Sequence, residues 1–136
     1  MFEFIIYGKP VPKQRPRFVK GIVYTPKTTV QYEKLVAKSF LTQGGKSFGD
    51  SALQASICLY LAVPKSYTKK EKQAIMDGTV LPTKSPDVDN VAKSILDGLN
   101  NVAYTDDRQI LSLNIKKQYS FDTKAPFTVV KIEKVE

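Results

Sequence analysis

The stretch PTKSPDVDNVAKSILDGLNNVAYTDDRQI, residues 82–110, is an acidic region in a chain that is basic overall. It contains five of the thirteen acidic residues, although the 136-residue chain has a net charge of +8. Neighbouring carboxylates repel one another and raise each other's pKa, so such crowding requires a compensating cation, either a basic side chain or a metal ion. The five residues are Asp87, Asp89, Asp97, Asp106 and Asp107.

The middle of this stretch has the pattern of an amphipathic helix over residues 89–101. At helical spacing, one side carries Val88, Ala92, Ile95, Leu96 and Leu99, and the other carries Asp89, Lys93, Asp97 and Asn100. One face is therefore expected to pack against the protein, with Asp89 able to cap the start of the helix. The polar face is left free for chemistry.

The segments around this helix predict further strands and helices. Alternating apolar residues predict strands at residues 2–7, 53–63 and 111–119, and FTVVKIEKV predicts a final strand after a hairpin turn at residues 122–126. A capping box of Thr28 and Gln31 predicts a helix of about fifteen residues, which Gly44 and Gly45 stop. A second capping box, Thr68 with Glu71, predicts a short helix that ends at Gly78.

The order of these elements indicates an α+β fold, in which helices pack on a mixed β-sheet within a single domain over residues 1–136. Hydrophobic residues make up 42% of the chain, but no apolar run is long enough to span a membrane. The N-terminus has no basic leader before its short apolar run, so we expect a first strand rather than a signal peptide. These features predict a cytoplasmic protein with no membrane partner.

The composition limits the chemistry that the acidic region can support. The chain has no histidine and one cysteine, Cys58, so it lacks the commonest general base and cannot build a thiolate metal site or a disulfide framework. Any metal must be held by oxygen atoms, which favours Mg²⁺ or Mn²⁺. The pI near 9.5 is typical of proteins that bind polyanions.

The segment KPVPKQRPRFVKGIVYTPK, residues 9–27, combines six cations with four prolines and two aromatic residues. Proline fixes φ and disfavours both a helix and a central strand, so an extended loop or irregular hairpin is expected. We interpret the segment as a clamp on the DNA backbone in which Phe18 or Tyr24 stacks on a base, the alternative being a solvated surface loop. The expected DNA-binding residues are Lys9, Lys13, Arg15, Arg17, Lys20 and Lys27.

The aspartates can be arranged as a metal site. In an extended segment Asp87 and Asp89 point to the same side, and a strand beside the helix can return one of Asp106 and Asp107 to them. Neighbouring residues on an extended chain point opposite ways, so only one of these two is expected to be a direct ligand, and we select Asp107. These three carboxylates would suit Mg²⁺, which polarises a phosphodiester and lowers the pKa of a water molecule. Lys93 would donate to the transition state. The alternative is that the aspartates only cap helices, make turns and pair with Lys93.

These residues resemble the signature of the RusA family of Holliday junction resolvases, which is close to PDxDNxxKxxxDxL followed by DDxQ. The segments KPVPKQRPRF and YTPK also resemble those of phage-type and Gram-positive-type members, so the resemblance covers most of the chain. The proline-rich basic segment and the two adjacent glycines depart from the family pattern and leave the DNA footprint open. The matching residues are Pro86, Asp87, Asp89, Asn90, Lys93, Asp97, Leu99, Asp106, Asp107 and Gln109.

The resemblance implies a homodimeric, Mg²⁺-dependent endonuclease that nicks opposed strands of four-way DNA junctions symmetrically, in recombination and repair. It implies no nucleotide cofactor, and Mn²⁺ is expected to substitute for Mg²⁺. Asp87, Asp89 and Asp107 match the metal-binding catalytic aspartates, Lys93 the catalytic lysine, and Asp97 a further acidic position. Members of the family often occur in prophages.

Two other classes of function stay open on the residues alone. The first is a basic DNA-binding protein without catalytic activity, in which the aspartates are structural. The second is a metal-dependent enzyme that acts on small phosphate compounds, but a small ligand does not need a wide cationic surface. A dimer suits a junction-resolving nuclease, because the two-fold symmetry of a four-way junction matches two copies of one active site.

Overall fold

The structure, a computed structural model, describes residues 1–120 and 125–135. Four strands form one sheet in the order β1-β6-β4-β5, in which only β4 and β5 are parallel, and β2 and β3 form a separate two-stranded ribbon. The predicted α+β fold with a mixed sheet is therefore confirmed. In chain order the elements are β1 (Phe2–Tyr7), β2 (Arg17–Val19), β3 (Ile22–Tyr24), α1 (Lys27–Thr42), β4 (Leu53–Leu61), α2 (Lys69–Met76), α3 (Val88–Leu99), a short 3-10 helix (Asp107–Gln109), β5 (Ile110–Tyr119) and β6 (Phe127–Lys134).

The core lies between the four-stranded sheet and the helices α1 and α3. Alternate residues of β4 are buried, as the sequence pattern predicts, because β4 is a central strand with one face against the helices. Helix α2 contributes one buried residue, Ile75, and is peripheral. The buried helix residues that face the sheet include Tyr32, Val36, Phe40, Val91, Ile95 and Leu99.

Of the two predicted capping boxes, one is confirmed and the other is wrong. In α2, the backbone N–H of Glu71 donates to Thr68 Oγ1 at 3.1 Å and the backbone N–H of Thr68 donates to Glu71 Oε1 at 3.2 Å. Helix α1 instead begins at Lys27, directly after Pro26, with no side-chain cap. Thr28 therefore lies inside the first turn, where it cannot act as the cap.

Strand β5 is the edge of the sheet, which changes the burial that its sequence predicts. Leu111 and Leu113 belong to the apolar alternation that predicted this strand, but they are 67% and 41% exposed. An edge strand has a neighbour on one side only, and the β4–β5 register is irregular where the strands begin. Strands β5 and β6 lie on either side of β4, so the predicted hairpin turn between them does not join paired strands. Residues 122–124 of that turn lie outside the described residues.

None of the helices in the described ranges is both long and apolar enough to cross a membrane. The predicted first strand is present as β1, which pairs along its whole length with β6.

Candidate active site

Asp87 and Asp89 lie at the start of α3. Asp87 is the extended residue that precedes the helix, whereas Asp89 is already in its first turn. The expected extended pair, and the expected cap at Asp89, are therefore wrong, because the helix begins at Val88. The side-chain amide of Asn90 donates to Asp87 Oδ2 at 3.4 Å. Both aspartates are exposed, and within the described residues neither forms an ion pair.

Lys93 lies one turn further along α3 and binds two carboxylates. Its Nζ is 3.0 Å from Asp97 Oδ1 and 3.3 Å from Asp107 Oδ2. The hydrogen bond to Asp97 is the main reason that the pKa of Lys93 is raised, and the charges of Asp97 and Asp107 add to the effect. Lys93 is therefore a permanent cation at neutral pH.

The 3-10 helix before β5 fixes the backbone at Asp107. Asp106 Oδ1 accepts a hydrogen bond of 2.9 Å from the backbone N–H two residues on, and this bond is the main reason that the pKa of Asp106 is lowered. Gln109 Oε1 accepts from the backbone N–H of Asp106 at 2.8 Å, and Gln109 Nε2 donates to the carbonyls of Gly49 and Ser51. The segment was expected to be extended, but the capping box turns it, so Asp106 and Gln109 are structural.

Lys13 lies inside this site rather than on the outer surface. Its Nζ is 2.6 Å from Glu33 Oε1 and 3.1 Å from Asp97 Oδ2, and its side chain is 24% exposed. Partial burial acts to lower the pKa of Lys13, but hydrogen bonds and charges of the two carboxylates outweigh it and raise the pKa overall. The charge of Lys13 is therefore bound within the protein, unlike that of a free phosphate-binding residue.

The other five predicted DNA-binding cations are exposed. Strands β2 and β3, with the turn at Lys20 and Gly21, form a ribbon in which every strand residue is exposed. Both turn residues have positive φ, as a tight hairpin of this kind requires. Phe18 is 72% exposed and Tyr24 is 44% exposed. We call this hairpin, together with the cations Lys9, Arg15, Arg17, Lys20 and Lys27, the basic ribbon.

The family model for Endodeoxyribonuclease RusA matches residues 7–133, which run from the end of β1 into β6. The chain belongs to the RusA family. A relative from Bacillus subtilis (strain 168), described as "Uncharacterized protein YqaN", is 32% identical over 124 residues, which cover 87% of each protein. The RusA family is a family of DNA endonucleases. The matched residues include the basic ribbon and every aspartate of the site.

The donor atoms of this RusA site suit a hard cation, although the three predicted ligands do not form a compact cluster. Within residues 1–120 and 125–135, no three Asp, Glu, Cys or His side chains are grouped to hold a metal ion. Mg²⁺ in proteins is commonly bound by only one or two carboxylates, with waters and substrate phosphates completing its octahedron. The unpaired carboxylates of Asp87 and Asp89 meet that requirement, and three-carboxylate ligation that includes Asp107 stays a prediction.

Two cavities lie outside the aspartate site. The larger, of about 560 Å³, lies between α2 and the end of β4 and contains none of the predicted site residues. The smaller, of about 310 Å³, borders Lys9 and the segment that ends at Pro86, directly before Asp87. The smaller cavity is therefore the one that adjoins the RusA signature.

Sequence reasoning missed two residues of the site. Glu33, on α1, is one of the two partners of Lys13. Tyr104 is fully buried, and its hydroxyl donates to the carbonyl of Leu96 at 2.7 Å. Burial, followed by the charge of Asp107, strongly raises the pKa of Tyr104, so its hydroxyl stays protonated. Glu33 lies outside residues 82–110, and Tyr104 lies within them at a position that the signature does not specify, so no local spacing marks either one.

Proposed function

We propose that the protein is a Mg²⁺-dependent endonuclease that resolves four-way DNA junctions by paired symmetric nicks in recombination and repair. Membership of the RusA family supports DNA cleavage. The observation that carries the proposal is the arrangement along α3: two unpaired carboxylates, Asp87 and Asp89, precede Lys93, which in turn binds Asp107. A cap accounts for Asp106 and two ion pairs account for Asp97, whereas among the described residues the two exposed carboxylates have no cation.

In this proposal Asp87, Asp89 and Asp107 hold Mg²⁺, or Mn²⁺ in its place. When bound, the ion supplies Lewis-acid polarisation of the phosphodiester and a nucleophile at neutral pH, in a chain that has no histidine. Lys93 donates its N–H to an oxygen of the phosphate on which charge develops. Because its pKa is raised, Lys93 stays protonated at neutral pH, so it can act as a hydrogen-bond donor but not as a general base.

The basic ribbon provides the surface for the DNA backbone. Its cations are exposed and form no ion pairs within the described residues, so their charges are available to phosphates. In this proposal Phe18 and Tyr24, which are exposed among these cations, stack on bases at the branch point.

A homodimer completes the proposal. Resolution needs two cuts related by the approximate two-fold axis of the junction, and a two-fold dimer presents two identical sites in that relation. The family and the Bacillus subtilis relative support an origin in bacteria or their phages, with action on DNA in the cytoplasm.

A cleavage assay on an end-labelled four-way junction with Mg²⁺ tests the function. We expect paired symmetric nicks from the wild type and at least about a hundredfold slower cleavage from Asp87→Asn and from Lys93→Ala. Asp77→Asn, which changes an exposed aspartate at the end of α2, is the matched control and should cleave normally. If the wild type binds the junction but does not cut it, whichever divalent ion is added, the protein is instead a non-catalytic DNA-binding protein.

A further inference from the structure

Five side chains of alternating charge run through the site from α1 to the 3-10 helix. Glu33 binds Lys13 at 2.6 Å, Lys13 binds Asp97 at 3.1 Å, Asp97 binds Lys93 at 3.0 Å, and Lys93 binds Asp107 at 3.3 Å. The two lysines use different oxygens of Asp97, since Lys93 takes Oδ1 and Lys13 takes Oδ2. Asp97 is therefore a bridge between the lysine of the signature and the N-terminal segment.

Asp97 is the least exposed member of this series, at 16%, and Lys93 is the most exposed, at 56%. An exposed ion pair one turn apart on a helix is weak compared with the rotamer freedom of a lysine side chain. Asp97 alone would therefore hold Lys93 poorly. With its second oxygen bound by Lys13, Asp97 cannot rotate without breaking an ion pair, so its first oxygen stays directed at Lys93.

The segment that carries Lys13 is itself attached to α3 at two points. The backbone N–H of Lys13 donates to the carbonyl of Asn90 at 2.8 Å, and Ser94 Oγ donates to the carbonyl of Val11 at 2.6 Å. Ser94 is fully buried. The ammonium group of Lys13 thus reaches Asp97 from a backbone that is fixed to the same helix, and Glu33 holds it from the other side.

We propose that Lys13, supported by Glu33, is a positioning residue that immobilises Lys93 through Asp97. Its effect on cleavage rests on the proposed nuclease function, whereas its effect on Lys93 itself can be measured without DNA. The sequence predicted that Lys13 contacts a DNA phosphate. That role and the positioning role differ in the kinetic quantity that they affect. A positioning residue alters the rate of cleavage in the bound complex, and a phosphate contact alters the affinity for DNA.

The kinetic test compares Lys13→Met with Lys13→Arg, Glu33→Gln and the control Lys34→Met, which removes an exposed lysine from α1. With saturating junction and a single turnover, we expect Lys13→Met to slow cleavage by about tenfold or more, because misplacement of a catalytic group is costly in rate. Glu33→Gln should slow it less, Lys13→Arg should restore most of it, and Lys34→Met should match the wild type. The Kd for the junction should change less than about threefold in all four variants.

A double-mutant cycle shows whether Lys13 acts through Asp97. In an Asp97→Asn background, Lys13→Met should add less than about a twofold further loss of rate, because the bridge is already weakened. Additive losses, or a Lys13→Met variant that loses affinity and keeps its rate, would overturn the positioning role and favour direct contact with phosphate.

The second readout is NMR of ¹⁵N-labelled lysine ammonium groups in the protein without DNA. We expect a signal from Lys93 Nζ that is protected from exchange with water in the wild type and in Lys34→Met, and that broadens in Lys13→Met. The positioning role would be contradicted if Lys13→Met left the Lys93 signal unchanged, or if that signal were already unprotected in the wild type. If the wild type does not cleave junctions but Lys93 responds to Lys13, the nuclease proposal fails while the positioning role stands.

Discussion

The ammonium group of Lys93, held by Asp97 and Asp107, sets the pH range over which the site keeps its charge. The pKa of Lys93 is raised above 10.5, first by its hydrogen bond to Asp97. A pKa that is higher in the folded than in the unfolded protein gives stabilisation that is complete below pH 10.5 and is lost as pH rises through the folded pKa. We expect NMR titration to place the midpoint of Lys93 above 10.5, and Asp97→Asn to lower it. A midpoint in the neutral range would make Lys93 a candidate base and contradict its role as a donor.

The adjacent aspartates 106 and 107 show how two identical residues serve different purposes. Asp106 uses an oxygen to cap the 3-10 helix, whereas Asp107 directs Oδ2 to Lys93. The sequence predicted that one of the pair would face the site and selected Asp107, because neighbouring side chains diverge on a strand. The geometry is instead that of a capped turn, and the glutamine three residues after Asp106 was its signal.

The contact between α1 and α3 controls the distance between Glu33 and the aspartates of α3. Gly98 is buried at this contact, and a Cβ atom placed there would lie 2.8 Å from the carbonyl oxygen of Glu33 and 3.1 Å from Val36 Cβ. Because the nearest atom belongs to the backbone, the two helices would have to separate.

We therefore expect Gly98→Ala to lower the free energy of unfolding by roughly 1–2 kcal/mol, since overpacking costs more than the helix propensity of alanine returns. Urea denaturation measures this change. Junction cleavage by the folded variant should also be slower, because Glu33 moves away from Lys13. A variant as stable as the wild type would show that α1 shifts freely and that the close approach has no structural importance.

The helices and strands could be predicted because their periodicity is a local property of the sequence. The positions of their ends could not be predicted in this way. The alternation in β4 and the two-faced pattern of α3 gave the correct elements, since both lie at the centre of the fold with one face buried. The start of α1 was misplaced because a favourable cap at Thr28 is irrelevant once the chain turns helical after Pro26. The exposure of β5 depends on which strands neighbour it, and this information is not present in its own sequence.

At the scale of the whole molecule, the charges divide into a bound set and a free set, and this division answers the question raised by the acidic stretch. Two of its carboxylates, Asp97 and Asp107, are compensated by lysines, while Asp87 and Asp89 form no ion pair in the part of the chain that the structure describes. Lys93 could be paired with Asp97 from the sequence because they are one helical turn apart. Lys13 could not be assigned, because its partners are reached only after the N-terminal segment folds onto α3.

The free cations of the basic ribbon predict the salt dependence of DNA binding. Each phosphate contact contributes about 0.9 to the slope of log K against log salt, so Arg15→Ala, Arg17→Ala and Lys20→Ala together should reduce the slope by about 2.7 if all three bind phosphates. The matched control replaces Lys69, Lys70 and Lys72 of α2 by alanine. Both triple variants lower the net charge from +8 to +5, so a general effect of charge should act on both alike. We expect the slope to fall strongly in the ribbon variant and by less than about 1 in the α2 variant, as measured by titration of a labelled junction over a range of salt concentrations. Equal reductions in the two variants would mean that the ribbon is not the DNA-binding surface.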